Sequence, residues 1–185
     1  MLNGNGLRRS PAIIKHSGSL LGRHDVLDQI EKETQKHAVR IFAGGGEQIN
    51  TAFREKGWPI RFGPFGRICE TFEQRQAARD VLERNAADLE DFLDARRIPA
   101  RVVLPVLNSE MGDVLTHVNT DFALLAAWNG YDRLLSYTLE KRVKRKEKIY
   151  RNVWDLFKEM SDLPIDPDAP YKIEVVGFPE NGSGK

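Results

Sequence analysis

The chain of 185 residues and 21.0 kDa carries 28 basic and 27 acidic side chains, for a net charge of +1. That balance creates no global field to gather nucleic acid, and no apolar run approaches the length of a bilayer span. With Cys69 the only cysteine an intrachain disulfide is excluded, and 41% hydrophobic with 30% charged residues suits one globular domain of ordinary size. The N-terminus lacks the apolar core of a signal peptide, so a cytoplasmic protein is expected.

Residues 1–10 are polar and glycine-rich and are expected to be disordered, ahead of a single domain over 11–178 and a disordered tail over 179–185. Ala12 to Lys15 reads as a short strand ending at His16, Ser17, Gly18 and Ser19, all of which favour turns. Lys15 thus sits at a strand's C-terminal end, the edge where open α/β sheets bind ligands. Taken alone, a surface lysine ahead of a loop is the plainer reading. Val26, Leu27 and Ile30 recur at helical spacing between Arg23 and His37, which predicts an amphipathic helix returning to the sheet.

The stretch AVRIFAGGGEQINTAFREKG, Ala38 to Gly57, then runs from a strand through Gly44, Gly45 and Gly46 straight into a helix. A turn without Cβ atoms lets backbone N–H groups approach a bound group, and the following helix offers its positive end to an anion. A tight βα connection needs the same glycines, so the turn alone divides evenly between the two. The βαβ order places this turn and the Ser17–Ser19 turn on one sheet edge. Gly57, before Trp58 and Pro59, ends the helix as a C-cap glycine.

Ile60 to Glu70 reads as a loop over the pocket. Thr71 to Arg97 forms the longest helical pattern, opened by a capping box at Thr71 and Gln74. Arg101 to Leu107 is apolar as a central strand would be. Asn119, Thr120 and Asp121 lead into Phe122, Leu124, Leu125 and Trp128, so a helix begins there. Asp121 is either its cap or a carboxylate that orients Lys15 or a second lysine across the pocket. Arg133 to Thr138 reads as a further strand, Glu147 to Met160 as a helix after a basic run, Ser161 to Pro170 as a loop and Tyr171 to Phe178 as a final strand.

IIKHSGSLL at Ile13 to Leu21, the strand and glycine turn at Val39 to Gly46, and VNTDFALLAAWNGYDRLLSYT at Val118 to Thr138 follow one another in an order that resembles the amino acid kinase superfamily, most closely its uridylate kinase-like branch. The resemblance implies an α/β fold, a three-layer αβα sandwich with a mainly parallel sheet. It also implies transfer of the γ-phosphoryl of ATP, carried with Mg²⁺, to a small anionic acceptor bearing a carboxylate or phosphate. Lys15 and Asp121 would then be catalytic, with Lys15 neutralising the transferred phosphoryl and Asp121 organising the lysines. Ser17, Gly18, Ser19 and Thr138 would contact the nucleotide phosphates, while Gly44, Gly45, Gly46 and Asn119 would hold the acceptor. A homo-oligomer joined through its helices is expected.

This chain departs from the family where active members carry a Thr-Asp-x-x-Gly-Val-Tyr segment, since Leu139 and Glu140 follow Thr138 here. The nucleotide half is shortened, and the second lysine stays open among Lys141, Lys144, Lys146 and Lys148. A degenerate anion-binding or regulatory protein on the same fold is the alternative. Nucleic-acid binding by Lys141 to Lys148 trails both, because no aromatic interleaves the run. His16, His24, His37 and His117 lack the spacing of metal ligands, so no metal site is expected.

Overall fold

The computed structural model describes residues 9–63, 66–104, 106–108, 114–117, 119–160 and 168–180. The predicted N-terminal segment up to residue 8, residues 161–167 of the proline-containing loop and residues 181–185 of the tail lie outside them. In chain order the elements are β1 (Ser10–His16), α1 (His24–Lys36), β2 (His37–Ala43), α2 (Gly46–Glu55), β3 (Arg61–Gly63), β4 (Gly66–Ile68), α3 (Phe72–Ala95), β5 (Arg101–Val103), β6 (Val106–Asn108), β7 (Val114–His117), α4 (Thr120–Ala126), β8 (Arg133–Leu139), α5 (Val143–Met160) and β9 (Ile173–Phe178).

Five strands form the central sheet in the order β5-β2-β1-β8-β9, and every neighbouring pair is parallel. The chain is thus an α/β protein with helices on both sheet faces. Alternation along β1 sends Ala12 and Ile14 into one layer, with Val26, Leu27 and Ile30 of α1 and Leu89 and Leu93 of α3. Ile13 faces the other layer, where Leu124 and Leu125 of α4 meet Tyr150, Val153 and Trp154 of α5. Lys15 is two residues beyond Ile13, so the pleat points it into this second layer.

Local chemistry places the helix ends. Thr71 caps α3 through a reciprocal box with Gln74. Gly57 takes φ +67° after α2, its N–H bonding to the Arg54 carbonyl while the Trp58 N–H reaches Phe53, a Schellman closure.

Four expectations change. Arg101 to Leu107 is not one central strand: β5 is a three-residue edge paired only with Arg40–Phe42, and β6 belongs to a separate hairpin with β7. Its apolar character comes from packing, since Val102 and Leu104 lie against the core cluster. The Ile60 to Glu70 loop contains the antiparallel hairpin β3-β4. The last strand begins at Ile173, after a 3₁₀ turn over Ala169–Lys172. Finally, α5 starts at Val143, so most of the basic run lies inside the helix.

The two glycine turns meet as the βαβ order predicts, and they do so by direct packing. The Gly44 N–H donates to the His16 carbonyl at 2.8 Å, and Gln48 Nε2 to the Gly18 carbonyl at 2.9 Å. Buried Asn85 closes the other side, its Nδ2 bonding the Gly44 carbonyl at 2.9 Å. A Cβ on Gly18 would stand 2.6 Å from the Gly44 carbonyl oxygen, and one on Gly44 would stand 2.9 Å from that of His16. A Cβ on Gly46 meets nothing within 4 Å.

The three glycines therefore separate by role. Gly18→Ala and Gly44→Ala should each destabilise by about 1–3 kcal/mol, as overpacking against backbone does. Gly46→Ala should leave the thermal midpoint unchanged. Melting curves of the three variants decide this, and equal loss at all three positions would refute the packing account.

Candidate functional site

Along the sheet the strand order runs outward from β1 in both directions, to β2 and β5 on one side and to β8 and β9 on the other. The switch point lies between β1 and β8, and crevices outside the carboxyl ends of such strands are where α/β folds take ligands. Lys15 and Ser136 pair in register there, on the face covered by α4 and α5. These two polar side chains, fully or almost fully buried, follow the apolar pairs Ile13–Ile14 and Leu134–Leu135 along their strands.

Asp121 closes over Lys15 from the first turn of α4. The helix is capped by Asn119, whose Oδ1 accepts the N–H groups of Asp121 (2.8 Å) and Phe122 (3.4 Å). The cap is therefore Asn119, which leaves the Asp121 carboxylate free to face the sheet. Its Oδ1 lies 3.4 Å from Lys15 Nζ and accepts the Tyr150 hydroxyl at 2.8 Å. Its Oδ2 receives Lys146 Nζ from α5. Tyr150 stands 2.6 Å from Ser136 Oγ, and since its one proton goes to the carboxylate, Ser136 supplies the proton of that second bond.

The cluster has one carboxylate between two ammonium groups, all largely withdrawn from water. Burial pushes the Lys15 pKa down to about 8, helped by the charge of Lys146 and opposed by Asp121. Burial alone would raise the Asp121 carboxyl, but Lys15 and Lys146 outweigh it and hold it well below the usual carboxylate range. Burial, and then the adjacent carboxylate, push the Tyr150 hydroxyl well above its ordinary value. His16, buried beside Lys15, falls to about 3 and is neutral at physiological pH.

Two connected cavities open off the cluster. A polar recess of about 170 Å³ is lined by Lys15, the Ser17–Ser19 turn, the three glycines, Asn119 and Lys146. A larger chamber of about 500 Å³ runs from there between the β3-β4 hairpin and α5. Arg67, Arg142 and Lys146 line both. The recess also faces the start of α2, whose first helical bond is Ile49 N–H to Gly45 O, so earlier amides remain for a ligand. The first turn of α5 holds Lys144, Arg145 and Lys146 with no acidic residue, so its cations stand at the positive end of the helix dipole.

Nine of the ten site residues named from the sequence converge on this crevice: Lys15, Ser17, Gly18, Ser19, Gly44, Gly45, Gly46, Asn119 and Asp121. The Gly44 amide is already taken by His16, so the cradle belongs to Gly46 and the residues after it. Thr138 lies on β8, fully buried, and lines neither cavity. Arg67, Ser136 and Tyr150 were missed. Of the four candidate lysines, Lys146 is the one that reaches Asp121. Starting α5 at Val143 would have put Lys146, Ile149, Tyr150 and Val153 on one helical face, a readable signal.

The fold and site define an α/β protein with a parallel central sheet and a cationic crevice at its topological switch point. No protein-family model matches the chain, and no curated protein is similar to it in sequence. Among solved structures, the chain is similar to the crystal structure of smu.665 from Streptococcus mutans UA159, with a TM-score of 0.52 and 15% sequence identity over 69% of this chain and 71% of that one. At that identity the likeness concerns the fold alone. No described helix is long and apolar enough to cross a membrane.

The depressed Lys15 pKa has a linkage consequence. In the unfolded chain Lys15 holds its proton up to about pH 10.5, and in the folded protein only up to about 8. Across that window the unfolded state binds more protons, so the Lys15 contribution to stability rises with pH; below pH 8 the buried charge opposes folding in full. Denaturant melts of wild type against Lys15→Met should show wild type gaining from pH 8 to 10.5. A difference that stays flat over the window contradicts the burial of the ammonium.

Proposed function

We propose that this protein is a phosphotransferase that moves the γ-phosphoryl group of ATP to a small acceptor bearing a carboxylate or phosphate. The observation that carries the reading is the Lys15–Asp121–Lys146 cluster at the carboxyl end of the central strand, facing a polar recess of about 170 Å³. Phosphoryl transfer asks a protein mainly for positioning and for stabilisation of charge on the equatorial oxygens. Two ammonium groups and the free amides at the start of α2 are of the right kind for both.

ATP carrying Mg²⁺ supplies, when bound, the phosphoryl group and part of the neutralising charge. Lys15 and Lys146 hold negative charge on the transferring group from two sides. Asp121 keeps the two lysines together against their mutual repulsion, and the Tyr150–Ser136 bond fixes the carboxylate. Asp121 is committed to this task, which leaves the metal to travel on the nucleotide phosphates. An acceptor that is already an oxyanion needs no base, in keeping with the absence of a free carboxylate or ionisable histidine in the cluster. A cytoplasmic location and a homo-oligomer belong to the same reading, the latter supported by Phe72 and Phe92, exposed along α3.

A second reading, a binding or regulatory protein on the same fold, draws on Thr138, which is buried away from both cavities where the family resemblance called for a nucleotide contact. Thermal shift separates the readings at their first step. Mg²⁺–ATP at ~100 times its Kd should add about 2.7 kcal/mol to wild type, a rise of roughly 5–10 °C. Lys15→Ala and Lys146→Ala should lose the shift, while Lys158→Ala on the far part of α5 should keep it. Where transfer is measured, either lysine variant should fall on the order of 10²–10³-fold. No shift in wild type removes the kinase reading; a shift with no turnover of nucleotide in the presence of acceptors favours the second.

A further inference from the structure

The larger chamber carries information about the acceptor that the lysine cluster does not. It opens off the recess, and its wall away from the recess is mainly apolar, built from Phe122 of α4 and Ile149, Val153 and Leu156 of α5 with Asn152 among them, while Phe62 of the hairpin lines both spaces. Its volume, about 500 Å³, falls within the range of small-molecule sites. Charge gathers at the boundary with the recess, where Arg67, Arg142 and Lys146 line both spaces, and Arg145 is the one further charged residue of the chamber.

Arg67 is the most constrained of these. Its guanidinium lies 5.2 Å from the ring centroid of Phe53 and 4.9 Å from that of Phe62, which holds its plane between two aromatic groups. Nη2 donates to the Gly46 carbonyl at 3.0 Å and to Asn50 Oδ1 at 2.6 Å. Nη1 is shielded from solvent, yet it has no hydrogen-bond partner among the described residues. Nor does any described carboxylate form an ion pair with Arg67; the nearby Glu47 is engaged by Arg54 and Asn50.

A staple between the hairpin and α2 would need only the two bonds of Nη2. An oriented guanidinium that lines both cavities with no carboxylate partner among the described residues is what a site for an oxyanion presents before the ligand arrives. The backbone beside it is shaped accordingly: Gly66 has φ +117°, and a Cβ there would fall 2.2 Å from Asn119 Nδ2, so the hairpin closes on the α4 cap with nothing to spare.

We propose that the acceptor is an organic oxyanion, a phosphate monoester or a carboxylate, with an apolar body that fills the chamber, and that Arg67 grips its oxyanion at the boundary with the recess. This rests on the phosphotransferase reading for the direction of transfer: an acceptor oxygen forms the new P–O bond as the bond from the γ-phosphorus to the bridging oxygen breaks, and ADP leaves with that electron pair. It does not rest on that reading for binding. Arg67 is thereby a specificity residue, selecting charge, while Leu156 and Phe62 select the body.

Titration calorimetry with benzyl phosphate, phenylacetate, benzyl alcohol and inorganic phosphate tests the assignment. Wild type should bind benzyl phosphate or phenylacetate at least tenfold more tightly than both inorganic phosphate and benzyl alcohol, and the tighter of the two anions identifies the acceptor group. Arg67→Gln should lose the preference for the anion over benzyl alcohol, and Arg67→Lys should restore only part of it, because one ammonium cannot reproduce the fork. Leu156→Trp, which fills the chamber, should abolish binding of the ring compounds while inorganic phosphate still binds; it carries the test should Arg67→Gln fail to fold. Benzyl phosphate and phenylacetate binding no better than inorganic phosphate, or an unchanged preference in a folded Arg67→Gln, overturns the proposal. The wild-type response to Mg²⁺–ATP is read separately. Arg67-dependent anion binding without it would remove the kinase reading and leave this one standing; the shift without anion preference would do the reverse.

Discussion

A carboxylate in a dry crevice needs opposite charge close by, and two ammonium groups sharing such a crevice need a carboxylate between them. Asp121, Lys15 and Lys146 meet both requirements at once, and much of the surrounding architecture serves to hold them. β1 must be central so that its last turn-facing residue is buried. α4 must be capped by Asn119 so that Asp121 is spared that task. α5 must begin early enough for Lys146 to reach across from the other side. Removing Asp121 leaves two uncompensated ammonium groups in the crevice, whereas removing either lysine leaves a balanced pair.

The first turn of α5 illustrates what the crevice costs. Cations at a helix N-terminus oppose the macrodipole, by about 0.3–1 kcal/mol each where exposed, and three stand there with no acid among them. Helices normally arrange the reverse. The burial of Trp154 and Tyr150 against the sheet holds the helix in place despite this, so the hydrophobic layer beneath offsets an electrostatic arrangement that makes sense only toward an anion.

Much of this was legible before the structure. The alternation of strand and helix patterns, the two small-residue turns, the Thr71 box and the Gly57 cap are all local signals, governed by period and by residue-specific backbone preferences. They gave the α/β class and put Lys15 and the glycines on one edge. The failures share a cause. The Arg101 to Leu107 run looks central because Val102 and Leu104 are apolar, yet apolarity there reflects packing on α3 rather than a place inside the sheet. The helix expected from Glu147 starts four residues earlier, at Val143, because the charges of the basic run hide a helical face that begins at Lys146.

Taken alone, then, the sequence determined the principal strands and helices and the Thr71 and Gly57 caps, because those outcomes depend on residues within a turn or two of one another, and the βαβ order put Lys15 and the glycine turns on the ligand edge. Only the tertiary structure decided which of four lysines meets Asp121, that Gly44 serves packing while Gly46 stays open, and that Arg67 stands between the recess and the chamber with no carboxylate partner among the described residues. Each of those depends on contacts between residues 17 to 41 positions apart, and no local period encodes a distance across a sheet.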